Sequence, residues 1–173
     1  MKAIDTTASR RTRPLLGLRR RPGRLALAVF RLPLVLYRHG WGWLLGRTFM
    51  LLVHAGRRTG QAHPMTAMVM RYDPTSREVV IFSGWGPESD WVRNIRARPA
   101  LRVEIGRESY TPRHRFLSED ESVAVASDFL RRHPYRVLLA RRILDWPDLH
   151  SEAALHEFVR THPFVALGPV DAA

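Results

Sequence analysis

Two glycines bracketing two guanidiniums, in Gly56-Arg57-Arg58-Thr59-Gly60, are the residues of this sequence best suited to chemistry with a charged ligand. Glycine admits positive φ and brings backbone N–H groups close to a bound group, while each arginine presents a planar fork matched to phosphate or carboxylate. The spacing suits anion capture, although the same residues would serve an ordinary polar hairpin with solvated side chains. Further on, Ser83-Gly84-Trp85-Gly86 offers either two glycines that let a flat ring approach the backbone or a tryptophan that plugs the core. Trp91, Asn94 and Ile95, at i, i+3 and i+4, share one helix face, and an inward asparagine needs partners: loop backbone groups, or the polar edge of a ligand ring. The eight histidines form no HExxH or other metal-ligand spacing, and His150 and His156, near one helix, have no third ligand in sight. GxSxG, a Walker loop and GxGxxG are all absent, so serine hydrolysis, nucleotide hydrolysis and Rossmann-type nicotinamide binding have no supporting motif.

The elements that must position these residues follow from periodicity. Thr48 to Val53, rich in large and β-branched side chains, predicts a strand running up to the glycine loop. Met65, Ala67 and Val69 alternate with Thr66, Met68 and Met70, which predicts an antiparallel return strand and places the arginines at a hairpin tip. Asp73-Pro74-Thr75-Ser76 is a turn by composition, and Glu78 to Phe82 is a short strand apolar enough to be buried. Ser89 as N-cap and Asp90 in the first turn predict a helix through Ala97. Leu101, Val103 and Ile105 alternate with Arg102, Glu104 and Gly106 as a half-buried strand, with Glu108 to Phe116 as its partner. Ser118 and Glu121 fit a capping box opening a helix to about Arg132; Pro134 stops or kinks it, and a helical pattern resumes over Tyr135 to Ile143, ahead of Asp145-Trp146-Pro147-Asp148. Ser151 to Arg160 predicts another helix, and Phe164 to Leu167 a sixth strand. This order lacks a βαβ rhythm. It points to the α+β class: a small antiparallel barrel of about six strands with helices packed outside.

At 173 residues the chain has the length of one domain, with residues 1–23 read as a basic, disordered tail and 24–173 as the folded unit. The formal charge is +12. Its distribution matters more: over residues 1–50, Lys2 and ten arginines face Asp5 alone, so the basicity belongs to the N-terminal third. Residues 24–36 read as a kinked helix interrupted by Arg31 and Pro33, too short and broken for a membrane span. Trp41, Trp43, Leu44 and Leu45 continue its apolar cover, and two supports suit it: the domain's own barrel, or an anionic bilayer surface. Nucleic acid is not expected, because the aromatics lie away from the arginine runs. The absence of cysteine rules out disulfides and thiolate ligation and suits a reducing cytoplasm, with a peripheral position on the inner face of the cell membrane as the extension of that reading.

Several stretches together carry a resemblance: LLVHAGRRTGQ (Leu51 to Gln61), SGWG (Ser83 to Gly86), DWVRNIRARP (Asp90 to Pro99) and VEI (Val103 to Ile105). In that order, over roughly residues 40 to 118, they resemble the deazaflavin-dependent nitroreductase family of split β-barrel oxidoreductases. The resemblance implies a split barrel, often dimeric, that binds the 5-deazaflavin coenzyme F420, with FMN as the alternative. It implies hydride transfer to an electron-poor small molecule such as a quinone, enone or nitroaromatic; a binding protein without turnover is the other reading. The anionic tail of F420 falls to Arg57, Arg58 and Thr59, with His63 standing where the family carries an arginine. Met65, Thr66 and Ala67 follow on the strand; Ser83, Gly84 and Trp85 border the ring; Trp91 and Asn94 lie against it. Tyr135 is the substrate-facing tyrosine, expected to donate a hydrogen bond or proton to the acceptor.

Overall fold

The structure, a computed structural model, describes residues 32–138, 149 and 151–170. The basic tail, the first part of the expected N-terminal helix and the turn at Asp145 to Asp148 lie outside them. A helix over 32–38 (α1) and a 3-10 turn at Gly42–Leu45 lead into strands Phe49–Ala55 (β1), Ala62–Met68 (β2), Arg71–Tyr72 (β3) and Val79–Phe82 (β4). Helix Asp90–Ala97 (α2) precedes strands Ala100–Ile105 (β5), Glu108–Tyr110 (β6) and Pro112–Phe116 (β7). Helix Glu119–Arg132 (α3), helical residues 134–138 (α4), helix Glu152–Thr161 (α5) and strand Phe164–Pro169 (β8) complete the described chain.

The strands form two four-stranded antiparallel sheets, in the orders β2-β1-β5-β6 and β3-β4-β8-β7. The α+β class and the antiparallel split barrel hold in this form. The count is eight rather than six, because two of the expected strands each cross from one sheet to the other. The strand expected over Met65 to Met70 stays in the first sheet to Met68 and enters the second at Arg71; Glu108 to Phe116 breaks at Thr111 in the same way. Pro112, which cannot donate to a ladder, sits at that second corner.

Burial follows from the two layers. Between the sheets, Met50 and Leu52 of β1 and Val103 and Ile105 of β5 meet Val79 and Ile81 of β4 and Val165 and Leu167 of β8, with Val92 and Ile95 of α2 closing one end. On the far side of the second sheet, Val80, Phe164 and Ala166 pack under Val125, Ala126 and Phe129 of α3 and Leu155, Phe158 and Val159 of α5. Both faces of β4 and β8 are therefore covered, which is why their sequences, VVIF and FVAL, read as continuous apolar runs. The helices are fixed at their starts. Ser118 and Glu121 form the reciprocal capping box, and the Ser151 side chain accepts from the Ala154 N–H.

Two expectations need correction, and one left open is narrowed. Leu101 was expected inward but is 45 % exposed: Val53 pairs with Arg102 and His54 with Ala100, so Leu101 is the extra residue of a β-bulge and turns outward while Ala100 takes the core position. Ser89 occupies the N-cap of α2 but makes no side-chain cap bond; its hydroxyl meets the Ser83 hydroxyl at 2.8 Å instead. Of the two supports left open for the N-terminal apolar cover, the barrel holds α1 through Tyr37, whose hydroxyl donates to the Phe49 carbonyl at 3.0 Å, while Trp41, Trp43 and Leu44 keep about half of their surface exposed.

The packing separates two apolar side chains that a hydropathy reading treats alike. Phe129→Ala, which opens a cavity beneath α3, should cost about 3–5 kcal/mol in urea denaturation, and Leu101→Ser about 0.5 kcal/mol or less.

Candidate functional site

Alternation along β1 sends Met50, Leu52 and His54 to the same, inward face. At the end of the strand His54 therefore reaches the mouth of the barrel, where it is almost fully buried. Its cross-strand partner on β2 is His63, the ring centroids 5.8 Å apart, and Met65 follows on the same face opposite Leu52. The hairpin loop closes tightly, with the Gly56 N–H donating to the Gln61 carbonyl and the Gly60 N–H to the Gly56 carbonyl, both at 2.8 Å. The two glycines serve it differently, Gly56 by its tight surroundings and Gly60 by its backbone conformation. A Cβ on Gly56 would lie 3.0 Å from His63 Nε2 and 3.1 Å from Thr59 Oγ1, and Gly60 has φ of 72°.

Helix α2 grips this loop from the side. Asn94, buried, accepts at Oδ1 from the Arg57 backbone N–H (3.0 Å) and from Arg57 Nη1 (3.1 Å). With Oδ1 committed as acceptor, Nδ2 is the donor to His54 Nδ1 at 3.1 Å, which places the imidazole proton on Nε2. Arg57 Nη1 also donates to Asp90 Oδ1 at 2.9 Å, and that bond holds the Asp90 carboxyl below the usual carboxylate range. Burial, then the neighbouring His63, pushes the His54 pKa down, so the ring stays neutral and able to accept. Arg58 differs from Arg57. It is exposed, and among the described residues its guanidinium meets no carboxylate. Together these groups line a cavity of about 540 Å³, with Arg58, Thr59 and His63 on the loop side and Asp90, Trp91 and Asn94 on the helix side.

Residues 35–136, well over half of the chain, match the family model described as F420H(2)-dependent quinone reductase. The chain belongs to that family. It is an F420-dependent oxidoreductase. Among curated proteins none matches. Solved structures similar to this F420-dependent reductase include an F420-H2 dependent reductase, FDR-A (15 % identity, 71 % of this chain and 96 % of that one, TM-score 0.48). An F420 reductase (14 %, 74 % and 90 %, TM-score 0.42) and an FMN-binding, pyridoxamine 5'-phosphate oxidase-related protein from Nostoc punctiforme PCC 73102 (17 %, 88 % and 82 %, TM-score 0.39) are also similar.

Of the residues expected to serve the coenzyme, the reductase brings Arg57, Arg58, Thr59, His63, Met65, Trp91 and Asn94 to this one cavity. Five others stand elsewhere, as does Tyr135, expected to face the acceptor. Thr66 points to the opposite face of β2 from Met65, and Ala67 packs against the core between the sheets. Ser83 is buried and its hydroxyl donates to the Gly86 carbonyl, while Gly84 and Trp85 do not line the cavity. Trp85 is 50 % exposed, so it does not plug the core. Tyr135, on α4, is 85 % exposed and away from the cavity. Gly56 of the expected anion loop lines it as well, and so do His54 and Asp90, which sequence reasoning missed as site residues. For His54 a signal existed, since the alternation that buries Met50 and Leu52 continues to position 54.

Removing the clamp has two readable consequences. Asn94→Ala leaves the Arg57 N–H and His54 Nδ1 without their partner and should cost about 1–3 kcal/mol in urea denaturation. Because the His54 pKa is lowered from 6.5 on folding, the unfolded chain binds a proton that the folded chain does not, so its stabilisation is complete above about pH 6.5 and is lost as pH falls toward the folded value. His114, His133 and His162 are lowered too. His54→Gln should therefore shrink, without abolishing, the fall in Tm between about pH 7 and about pH 5.5.

Proposed function

We propose that the chain reduces a quinone or a similarly electron-poor acceptor at the 540 Å³ cavity, with the coenzyme's anionic tail held by the Gly56–Gly60 loop. The observation that carries this reading is the Arg58 fork, exposed and without a carboxylate partner among the described residues, on the same cavity as the Trp91 and Asn94 face of α2. The donor set fits the coenzyme: a cationic loop with glycine-tight backbone for the phosphate and carboxylates, and a largely apolar wall of Met65 and Trp91 for a flat ring. When bound, reduced F420 supplies a hydride from its ring carbon.

The chain's own residues do the positioning. Arg57 spends one nitrogen on Asp90 and Asn94 and so fixes the loop against α2, leaving Nη2 and Nε as further donors to an anion. Arg58 supplies the mobile charge-assisted bonds. His54, neutral and buried, holds Asn94 rather than transferring a proton. Such preorganised donors keep their geometry during reaction, which is the protein's share of catalysis when the cofactor carries the electrons. Tyr135 has no role in this reading.

A membrane-surface site for an apolar quinone is supported by the exposed side chains of Leu32, Val35, Trp41, Trp43 and Leu44, with Arg107 stacked over Trp43 at 5.3 Å. No helix among the described residues is long and apolar enough to cross a bilayer.

Oxidation of reduced F420 by menadione, followed by absorbance, tests the activity. Arg58→Ala should weaken coenzyme binding about tenfold, the loss of a charge-assisted contact, whereas Tyr135→Phe should leave turnover within about twofold. Unchanged coenzyme affinity in Arg58→Ala would remove the loop from the reading. For the membrane component, Trp41→Ser with Trp43→Ser should reduce sedimentation with phosphatidylglycerol vesicles without changing menadione turnover in solution.

A further inference from the structure

A second cavity, of about 310 Å³, lies at the opposite end of β1 from the first. A strand rises about 3.3 Å per residue, so Thr48 at its rim and His54 in the first cavity are about 20 Å apart. The proposed hydride transfer makes no use of it. Its cations converge from four separate segments: Arg47 ahead of β1, Arg71 in β3, Arg132 at the end of α3 and Arg136 in α4. One carboxylate, Asp128, lines it with them.

The existing partners leave these guanidiniums with capacity to spare. Arg132 Nε donates to Asp128 Oδ1 at 2.8 Å, an i, i+4 pair near a helix C-terminus, and the same oxygen also accepts from Arg131 Nη2 at 2.7 Å, so this carboxylate is shared. Arg71 donates to Glu78 at 3.3 Å. Arg47 lies over the Tyr72 ring, 4.2 Å from its centroid, with Glu108 a loose 3.6 Å away. Arg136 donates to Thr48 Oγ1 at 3.0 Å, and among the described residues it meets no carboxylate. Each guanidinium has five N–H donors, so most remain available. The excess charge registers on His133, whose pKa is lowered first by burial and then by Arg136 and Arg132. Val69, Met70 and Pro74 give the cavity an apolar side suited to the carbon chain of an ester.

We propose that this cavity binds a phosphoryl group bearing two or more negative charges, held by Arg71, Arg132 and Arg136 and reached either from solution or as the head of a membrane lipid. Arginine forks match such a group bidentately, and the convergence of cations that would otherwise repel one another is accounted for by an anion between them. The cavity is a separate site from the coenzyme's.

Calorimetric titration of the full chain with inorganic pyrophosphate tests this, alongside flotation with phosphatidylcholine vesicles containing or lacking phosphatidic acid. Saturable pyrophosphate binding is expected, weakened about tenfold or more in Arg136→Ser and also in Arg71→Ser, on a different element, so that a folding defect in one variant does not decide the result. Coenzyme affinity should be unchanged in both. Flotation that depends on phosphatidic acid and is displaced by pyrophosphate identifies the lipid source; pyrophosphate binding without flotation identifies the soluble one. The proposal is overturned if neither probe binds, or if both variants bind pyrophosphate like the parent chain. It is equally overturned if the loss appears in Arg58→Ala instead, which puts the anion in the first cavity, or if Arg136→Ser weakens F420 binding, which makes the second cavity part of the coenzyme site.

Discussion

Asn94 makes three hydrogen bonds to two other segments, and the candidate site is built on them. Its carbonyl oxygen takes the backbone and side-chain N–H groups of Arg57, and its amide nitrogen gives to His54. One buried side chain thereby ties the end of β1, the loop after it and the first turns of α2 into a single unit. A buried amide is costly unless satisfied, so the arrangement is close to all-or-none. It also divides labour between adjacent arginines: Arg57 is held by the helix, and Arg58 is left for a ligand. The neighbouring Asp90 adds a bond that is 83 % exposed at the carboxylate and contributes geometry more than stability.

Beneath the clamp lies a second constraint, the double burial of β4 and β8. Covered on one face by the first sheet and on the other by α3 and α5, these strands form the layer on which both others rest. The first sheet, by contrast, is free to end in functional loops. Its bulge at Leu101 resets the β5 register beside His54, so that Ala100 rather than a leucine packs inward next to the site.

Local signals in the sequence were dependable wherever a single residue type sets the geometry. The glycine-bracketed loop, the Ser118–Glu121 box, the Asp73 turn and the Trp91–Asn94 face all stand where spacing put them, because each depends on contacts within a few residues. What spacing does not carry is how a chain changes partners. Nothing in the alternation from Met65 to Met70 marks the point where pairing passes from β1 to β4, since side-chain period continues through a corner. The same blindness placed Thr66 and Ala67 beside Met65 in function, although successive residues face apart and depth along a strand decides which of those on one face reach the mouth. Tyr135 was attached to the site through resemblance, and its position on α4 follows from the long-range path after Pro134, which no short motif specifies.

The corners at 69–70 and at Thr111 carry a consequence for motion. Each is a covalent bridge between layers, and each lies within three residues of paired backbone on both sides. Neither layer can peel from the other without first unzipping ladder bonds at two distant places, so amide protons of β1 and β5 should exchange with solvent on the same slow timescale as those of β4 and β8. Fluctuations are then confined to groups that neither a ladder nor the Asn94 clamp holds, and the exposed Arg58 side chain at the hairpin tip is one of them.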